Sequence, residues 1–240
     1  MLQLEQNGRS LAFRLVGPND RHYAAAVALA RSVYRHAYGA TIAPRPHRFI
    51  VCIDRSNDTA LACAGLSFGG HAALFSEHYL DQPLERKVAD IFRRDVARSD
   101  IAEVTALATL EPSMGTELVR ALPLVCWYLG LRGVICTVTS SLRRAFASLK
   151  LEFHELAVAD AERLPQVPGV NWGTYYDTKP VTGLLRVDTL GHYFDSVCCR
   201  YNGHLLADGL EDVAARMNDP HAANTAPAAY TMQQMRGRAA

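Results

Sequence analysis

The sequence predicts an α/β protein whose mixed sheet has an antiparallel N-terminal part and is flanked by helices. A tight polar turn at 55–58 joins two apolar runs, 48–54 and 59–68, which is the pattern of an antiparallel hairpin. Between 100 and 158, apolar strands alternate with helical segments, as in sheets with helical crossovers. With 240 residues, of which 49% are hydrophobic and 20% charged, the chain can bury one sizeable core.

The individual elements follow from hydrophobic periodicity and turn chemistry. The predicted strands are 11–16, 48–54, 59–68, 100–110, 133–139, 152–158 and 183–189. The predicted helices are 22–38, 83–97, 117–129 and 142–149. Asn19 or Asp20 can cap the first helix, and Ser140 or Ser141 the last. Residues 111–116 and the segment 165–180, rich in Pro, Gly and aromatic residues, are predicted to be loops.

The domain organisation is predicted to be simple. We expect residues 1–200 to form a single domain and residues 201–240 to add a weak helix at 203–217 and a disordered tail. The tail is rich in Ala, Asn, Pro and Gln, a composition that buries little apolar surface.

Charge and composition exclude several classes of partner. The formal charge is +1, without the basic excess typical of nucleic-acid-binding proteins. No apolar stretch reaches the length of a transmembrane helix, and the first residues lack a secretory signal, so we expect a cytoplasmic protein without stable membrane insertion. The histidines have no metal-ligand spacing, so no metal is expected. The six cysteines form no CxxC pair and suit a reduced core, although Cys198 and Cys199 could bind a metal and Cys136 could accept an acyl group.

A candidate phosphate site follows the strand 100–110. The segment Ser113, Met114, Gly115 and Thr116 leads into a helix, whose free N–H groups and positive dipole end favour an anion. Gly115 lets a ligand approach the backbone closely. Equally, Ser113 and Gly115 could simply begin the helix, since a single glycine is a weak motif.

Five separate motifs follow one another along the chain: FSEHYLDQPLE at 75–85, IAEVTALA at 101–108, TVT at 137–139, LAVAD at 156–160 and WGTYYD at 172–177. These motifs resemble those of the thermostable-hemolysin-like proteins, and the order of elements resembles the wider GNAT acyltransferase fold. The resemblance covers residues 20–185, and its middle section is also similar to the acyl-homoserine-lactone synthases. Three features depart from these patterns: Ala106 stands where the family has Asn, Lys150 where it has Gly, and only Gly115 remains of the glycine-rich phosphate loop of GNAT enzymes.

This resemblance implies a donor site for an acyl-coenzyme A or acyl-phosphopantetheine thioester, with no cofactor bound permanently. The donor arm would lie in a cleft between 103–110 and 134–139. Backbone N–H groups of Leu107, Ala108 and Thr109 could polarise the thioester carbonyl if the strand carries a bulge there. The segment 113–116 and Arg143 would hold the rest of the donor, and Arg143 could equally belong to a basic surface that meets an acidic acyl carrier protein.

Glu103 is the candidate general base, because a carboxylate in the middle of an apolar strand is costly unless it is paired or functional. The alternative is an ion pair with Arg93 or Arg143. Tyr175 or Tyr176 could protonate the leaving thiolate.

Five further residues are assigned to the acceptor site. They are Phe75, Glu77, Tyr79, Trp172 and Asp177. Capping by Glu77, packing of Tyr79 and a loop pinned over the core by the aromatic cluster are the structural alternatives.

The sequence therefore predicts an acyltransferase that moves an acyl group from a coenzyme A or carrier-protein thioester to a small amine by direct attack. A non-catalytic binding protein on a degenerate GNAT scaffold is the first alternative, and Ala106 and the missing glycine pattern favour it. A membrane-active hemolysin is the second.

Overall fold

The computed structural model of the chain describes residues 2–6, 8–198 and 200–201, and within them one eight-stranded sheet is flanked by five α-helices. The strands are β1 (Leu2–Gln6), β2 (Arg9–Val16), β3 (Arg48–Asp54), β4 (Thr59–Phe68), β5 (Ile101–Thr109), β6 (Gly133–Val138), β7 (Phe153–Val158) and β8 (Val181–Arg186). The helices are α1 (Arg21–Tyr38), α2 (Leu84–Phe92), α3 (Pro112–Tyr128), α4 (Ser140–Ser148) and α5 (Gly191–Cys198).

The strand order is β1-β2-β3-β4-β5-β6-β8-β7, and among these strands β5 and β6 form the one parallel pair. The predicted hairpin is confirmed: β3 and β4 have the expected bounds and pair antiparallel. Strand β8, the last strand of the described residues, inserts between β6 and β7, which leaves β7 at the edge. The predicted mixed sheet with an antiparallel N-terminal part is therefore confirmed.

The helices cover both faces of the sheet because side chains alternate along each strand. On β3, Phe49, Val51 and Ile53 pack with α1, whereas Ile50 and Cys52 pack with α3 on the opposite face. Asp20 caps α1 by accepting a hydrogen bond from the backbone N–H of His22, as one of the predicted alternatives has it. The sheet is thus a central layer between two helical layers.

Several predicted boundaries were wrong. Helix α3 begins at Pro112, five residues before the predicted start, so 113–116 is the first part of the helix and not a loop. Proline suits the first helical turn, where its missing N–H would be unpaired anyway. The close approach of α3 to β5 explains why a glycine lies inside the helix. A Cβ at Gly115 would meet Thr109 Cγ2 at 2.9 Å. Helix α2 ends at Phe92 instead of 97, where Arg93 turns left-handed with φ 57°.

Among the described elements, one strand and one α-helix were not predicted, and neither were the short 3-10 helices. Strand β1 pairs with β2, with Leu2 opposite Phe13, and its apolar positions are too few to stand out from the sequence. Helix α5 packs against α3, where the ring centroids of Phe194 and Trp127 lie 5.4 Å apart. Thr139 precedes the first residue of α4 and occupies the N-cap position that was predicted for Ser140 or Ser141. No side chain donates or accepts a capping hydrogen bond there. The predicted helix 203–217 and the tail lie outside the described residues, as do the side chains of Cys198 and Cys199.

Candidate active site

Strands β5 and β6 separate at a bulge and open a cleft. They pair only from Ile101 to Val104 of β5, although β5 continues to Thr109. Opposite β4, Cys63 pairs with Ala108 but Gly65 with Thr105, so β5 has one extra residue there. Ala106 absorbs it with a left-handed φ of 47°. A bulge bends its strand, and here the bend accompanies the separation of β5 from β6.

The cleft, here called the donor cavity, has a volume of about 420 Å³. No side chain that lines it carries a charge; apolar and hydroxyl groups from α1, β5, α3, β6 and α4 form its walls. Of the residues assigned to the donor from the sequence, five line this cavity: Leu107, Ala108, Thr109, Gly115 and Thr116. Such a wall suits an uncharged, partly apolar arm better than a highly charged group.

Three residues assigned to the donor lie elsewhere. Ser113 is exposed on α3, Met114 is buried in the core with 3% of its surface accessible, and Arg143 forms a surface ion pair with Glu155 at 2.5 Å. The α3 N-terminus also offers little to an anion: Pro112 has no N–H, and the N–H groups of Met114 and Gly115 both donate to the Glu111 carbonyl. Helix formation, which the sequence left as an alternative, accounts for this segment.

Glu103 lies on β5 with 2% of its surface exposed, and a short 3-10 helix, Phe75–Tyr79, holds its carboxylate. The backbone N–H of Phe75 donates to Oε2 at 2.7 Å, and the N–H and Oγ of Ser76 donate to Oε1 at 2.9 and 2.5 Å. Desolvation raises the pKa of Glu103 from its ordinary 4.5 to about 7, against the opposing effect of these hydrogen bonds. The carboxylate is thus held by hydrogen-bond donors of the helix, in place of the arginine that the alternative interpretation supposed.

Ser76 joins Glu103 to the donor cavity through a chain of hydroxyl groups. Ser76 Oγ lies 3.2 Å from Thr137 Oγ1, which lies 2.6 Å from Thr182 Oγ1. Thr137 also lines the donor cavity. Sequence reasoning missed Ser76, although it stands within the motif 75–85, because nothing local shows that this segment reaches β5.

A second cavity of about 970 Å³, here called the acceptor cavity, lies beside Glu103. Phe75, Glu77, Glu103 and Trp172 line it, together with the segments 42–47 and 164–170. The two cavities share three lining residues, Tyr34, Thr105 and Ala106, so they meet next to the bulge. Glu103 lines the acceptor cavity, two residues along β5 from Thr105, which lines both cavities.

Three of the residues assigned to the acceptor have different surroundings. The Glu77 carboxylate lines the cavity and accepts a hydrogen bond from the Leu74 N–H at 2.6 Å, as the capping alternative has it. It also pairs with Arg98, which it shares with Glu85. Tyr79 is 1% exposed and lies behind the wall, with its hydroxyl 2.5 Å from that of Tyr176. Asp177 is exposed and lines neither cavity. Tyr79 therefore fits the structural alternative given above, a ring packed in the interior.

The two candidate tyrosines differ in position. Tyr175 lines the donor cavity, is 7% exposed and directs its hydroxyl toward the Thr137 carbonyl at 3.4 Å. Burial raises the pKa of Tyr175 well above its ordinary value, so the hydroxyl stays protonated. Tyr176 lines neither cavity and pairs with Tyr79. Cys136 also lines the donor cavity, but burial raises the pKa of its thiol, which makes it a poor nucleophile.

Close backbone packing places the loop that carries these tyrosines. Gly173 has φ 52°, and a Cβ there would lie 1.9 Å from the Tyr38 carbonyl oxygen. Thr41 and Asn171 form a β-bridge between the same two segments. The loop is therefore fixed to the end of α1, beside the donor cavity.

Solved structures define the class of fold. The chain is similar to FeeM, an N-acyl amino acid synthase from uncultured soil microbes, at 14% identity over 79% of this chain and 96% of that one, with a TM-score of 0.52. It is also similar to BjaI, a CoA-dependent acyl-homoserine lactone synthase whose structure contains MTA, at 10% identity over 78% of this chain and 89% of that one, with a TM-score of 0.50. At these identities the similarity establishes a GNAT-like acyltransferase fold and nothing finer.

The sequence then identifies the family. The profile of the family described as thermostable hemolysin matches residues 16–189, and the chain belongs to this family. No curated protein sequence matches the chain significantly. Within the described residues, no helix is both long and apolar enough to cross a membrane.

Proposed function

We propose that the protein is an acyltransferase that moves an acyl group from a thioester to a small amine, with Glu103 as general base. The observation that carries the proposal is a buried carboxylate, Glu103, that lines the acceptor cavity two residues from Thr105, which lines both cavities. Burial raises the pKa of this carboxylate to about 7. A base that titrates near neutral pH combines a useful ionised fraction with a useful driving force for proton transfer. One structural neighbour is described as an N-acyl amino acid synthase and the other as a CoA-dependent acyl-homoserine lactone synthase, which supports an acyl-transfer reaction.

The thioester would occupy the donor cavity and the amine the acceptor cavity. The amine attacks the thioester carbonyl, a C–N bond forms, and the C–S bond breaks. Glu103 accepts the proton that the amine loses, directly or through a water molecule. Backbone N–H groups on the unpaired edge of β5 beyond Val104 would stabilise the oxyanion, since no strand pairs with them there.

Tyr175 would assist the departing sulfur. Its hydroxyl, kept protonated by burial, lies on the donor side and can donate a hydrogen bond to the thiolate as it leaves. The uncharged wall of the donor cavity suits the pantetheine arm and the acyl chain, which are common to coenzyme A and carrier-protein donors.

The test is thiol release from a panel of acyl-coenzyme A and acyl-carrier-protein donors with a mixture of amines. We expect Glu103→Gln to lower kcat/KM by about 100- to 10,000-fold, the usual contribution of a general base. Glu162→Gln, an exposed carboxylate outside both cavities, is the matched control and should leave the rate unchanged. Equal rates for the wild type and Glu103→Gln would remove Glu103 from the mechanism.

A second candidate, a non-catalytic binding protein on a degenerate GNAT scaffold, is favoured by one observation. The donor cavity has no lysine or arginine in its wall, and Pro112 at the start of α3 has no N–H, so the site lacks the phosphate contacts that would hold a coenzyme A thioester for turnover. A donor that raises the melting temperature but releases no thiol with any amine would support this candidate over the acyltransferase.

A further inference from the structure

We propose that the amine acceptor carries a carboxylate, which binds to Arg45, so that the substrate class is amino acids. This inference rests on the proposed function, because it identifies a second functional group on the acceptor whose amine meets Glu103. It begins from the charges of the acceptor cavity. Arg45 lies at the boundary between that cavity and a neighbouring one of about 510 Å³ beside Tyr23, is exposed, and has no carboxylate partner among the described residues.

The chain holds Arg45 in a rigid segment. Pro44 and Pro46 flank it, which fixes two φ angles and keeps the residue before each proline extended. The Tyr23 hydroxyl donates to the Pro46 carbonyl at 2.7 Å and ties this segment to α1. The backbone at Arg45 therefore loses little freedom when a ligand binds.

Packing brings this segment close to the candidate base. A Cβ at Gly65 would lie 2.9 Å from both Pro46 Cγ and Thr105 Oγ1, so these two groups converge over Gly65. Thr105 is two residues from Glu103 on β5, and residues two apart share a face of a strand. Arg45, adjacent to Pro46, thus stands at the rim of the cavity that Glu103 lines.

Arg45 is the one lysine or arginine among the described residues that line this cavity. Glu77 is paired with Arg98, which also pairs with Glu85, and the oxygens of Glu103 accept hydrogen bonds from the 3-10 helix. The remaining ionisable lining groups are Tyr34 and the imidazoles of His47 and His78. A neutral amine would leave the guanidinium without a partner, whereas an amino acid presents an amine to the base and a carboxylate to the arginine.

The rest of the cavity wall suits an apolar amino-acid side chain. Trp172, Phe75 and Leu74 line it together with Val167, Pro168 and Val170. Leu74 and Phe75 lie at the start of the 3-10 helix, and the other four residues lie on the loop that precedes Tyr175. We therefore expect large apolar or aromatic amino acids to be better acceptors than small or acidic ones.

The experiment compares each amino acid with the amine that lacks its carboxylate, for example phenylalanine with phenylethylamine and with phenylalanine amide. A mixture of the twenty amino acids and the matching amines is offered with the donor panel, and products are identified by mass spectrometry. We expect the wild type to prefer the acids in kcat/KM, and Arg45→Met to reduce that preference by about 10- to 100-fold through the acceptor KM. The donor KM should not change, and the readout is the ratio of kcat/KM for each acid to that for its matching amine.

Arg86→Met is the control, since Arg86 is exposed on α2 and lines neither cavity. An unchanged acid-to-amine ratio in Arg45→Met, or an effect on the donor KM instead, would overturn the assignment while leaving the acyltransferase intact. Ligand-observed NMR of the amino-acid mixture needs no turnover: binding to the wild type but not to Arg45→Met supports the site even if no acyl transfer occurs. Absence of binding to the wild type, together with turnover of amines alone, refutes it.

Discussion

Replacing Glu103 with glutamine should change how the stability of the protein depends on pH. In the folded protein the pKa of Glu103 is raised from 4.5 to about 7, because burial disfavours the charged form. The folded state therefore holds the proton to higher pH than the unfolded state does. This contribution to stability is complete below pH 4.5 and is lost as the pH rises to 7.

The size of the effect follows from the shift, which corresponds to about 3 kcal/mol of unfolding free energy. Glutamine cannot ionise, so it escapes this loss. It has its own cost, which does not vary with pH: its NH₂ group must face either the N–H of Phe75 or the donors of Ser76, at about 1–3 kcal/mol. The wild type should therefore be the more stable protein by about 1–3 kcal/mol at pH 4.5, whereas at pH 8 Glu103→Gln should be as stable as the wild type or more stable.

The assay is urea unfolding of the wild type, Glu103→Gln and the exposed control Glu162→Gln at pH 4.5, 6, 7 and 8. Other titrating groups cancel in the difference between two proteins, so the difference isolates Glu103. A stability difference that is constant across this range would refute the raised pKa. A difference that grows in favour of the wild type with rising pH would mean that the hydrogen bonds outweigh desolvation.

Two further substitutions test the contacts that shape the site. Ser76→Ala removes a hydrogen bond that lowers the pKa of Glu103, so the acid limb of the activity profile should move to higher pH by about 1–2 units, and an unmoved limb would contradict this role. Gly115→Ala should lower the unfolding free energy by about 1–3 kcal/mol in urea titrations, because its Cβ would meet Thr109 Cγ2 at 2.9 Å. Thr109→Ser, which removes that methyl group, should restore the loss, and an equal loss in both backgrounds would exclude this contact as the cause.

Local sequence patterns were sufficient where an element depends on its own residues and near neighbours. The hairpin of β3 and β4 followed from two apolar runs and a polar turn, and α1 followed from helical spacing and a capping aspartate. The predicted start of α3 was wrong because it depends on a packing contact between the helix and β5. Gly115 signals a loop by itself, and only its contact with Thr109 explains why a glycine lies inside a helix.

By itself, the sequence determined that a carboxylate lies within an apolar strand, since the composition of β5 is local, and the resemblance pointed to a cleft beside it. Only the tertiary structure decided what that carboxylate meets. The Ser76 hydroxyl is 27 positions away along the chain, and the threonine that extends the contact is 61 positions from Ser76. The bulge at Ala106 and the placement of Arg45 depend likewise on strands and loops that only the folded chain brings together. Such contacts are set by the register and order of the sheet, which no nearby pattern of residues encodes.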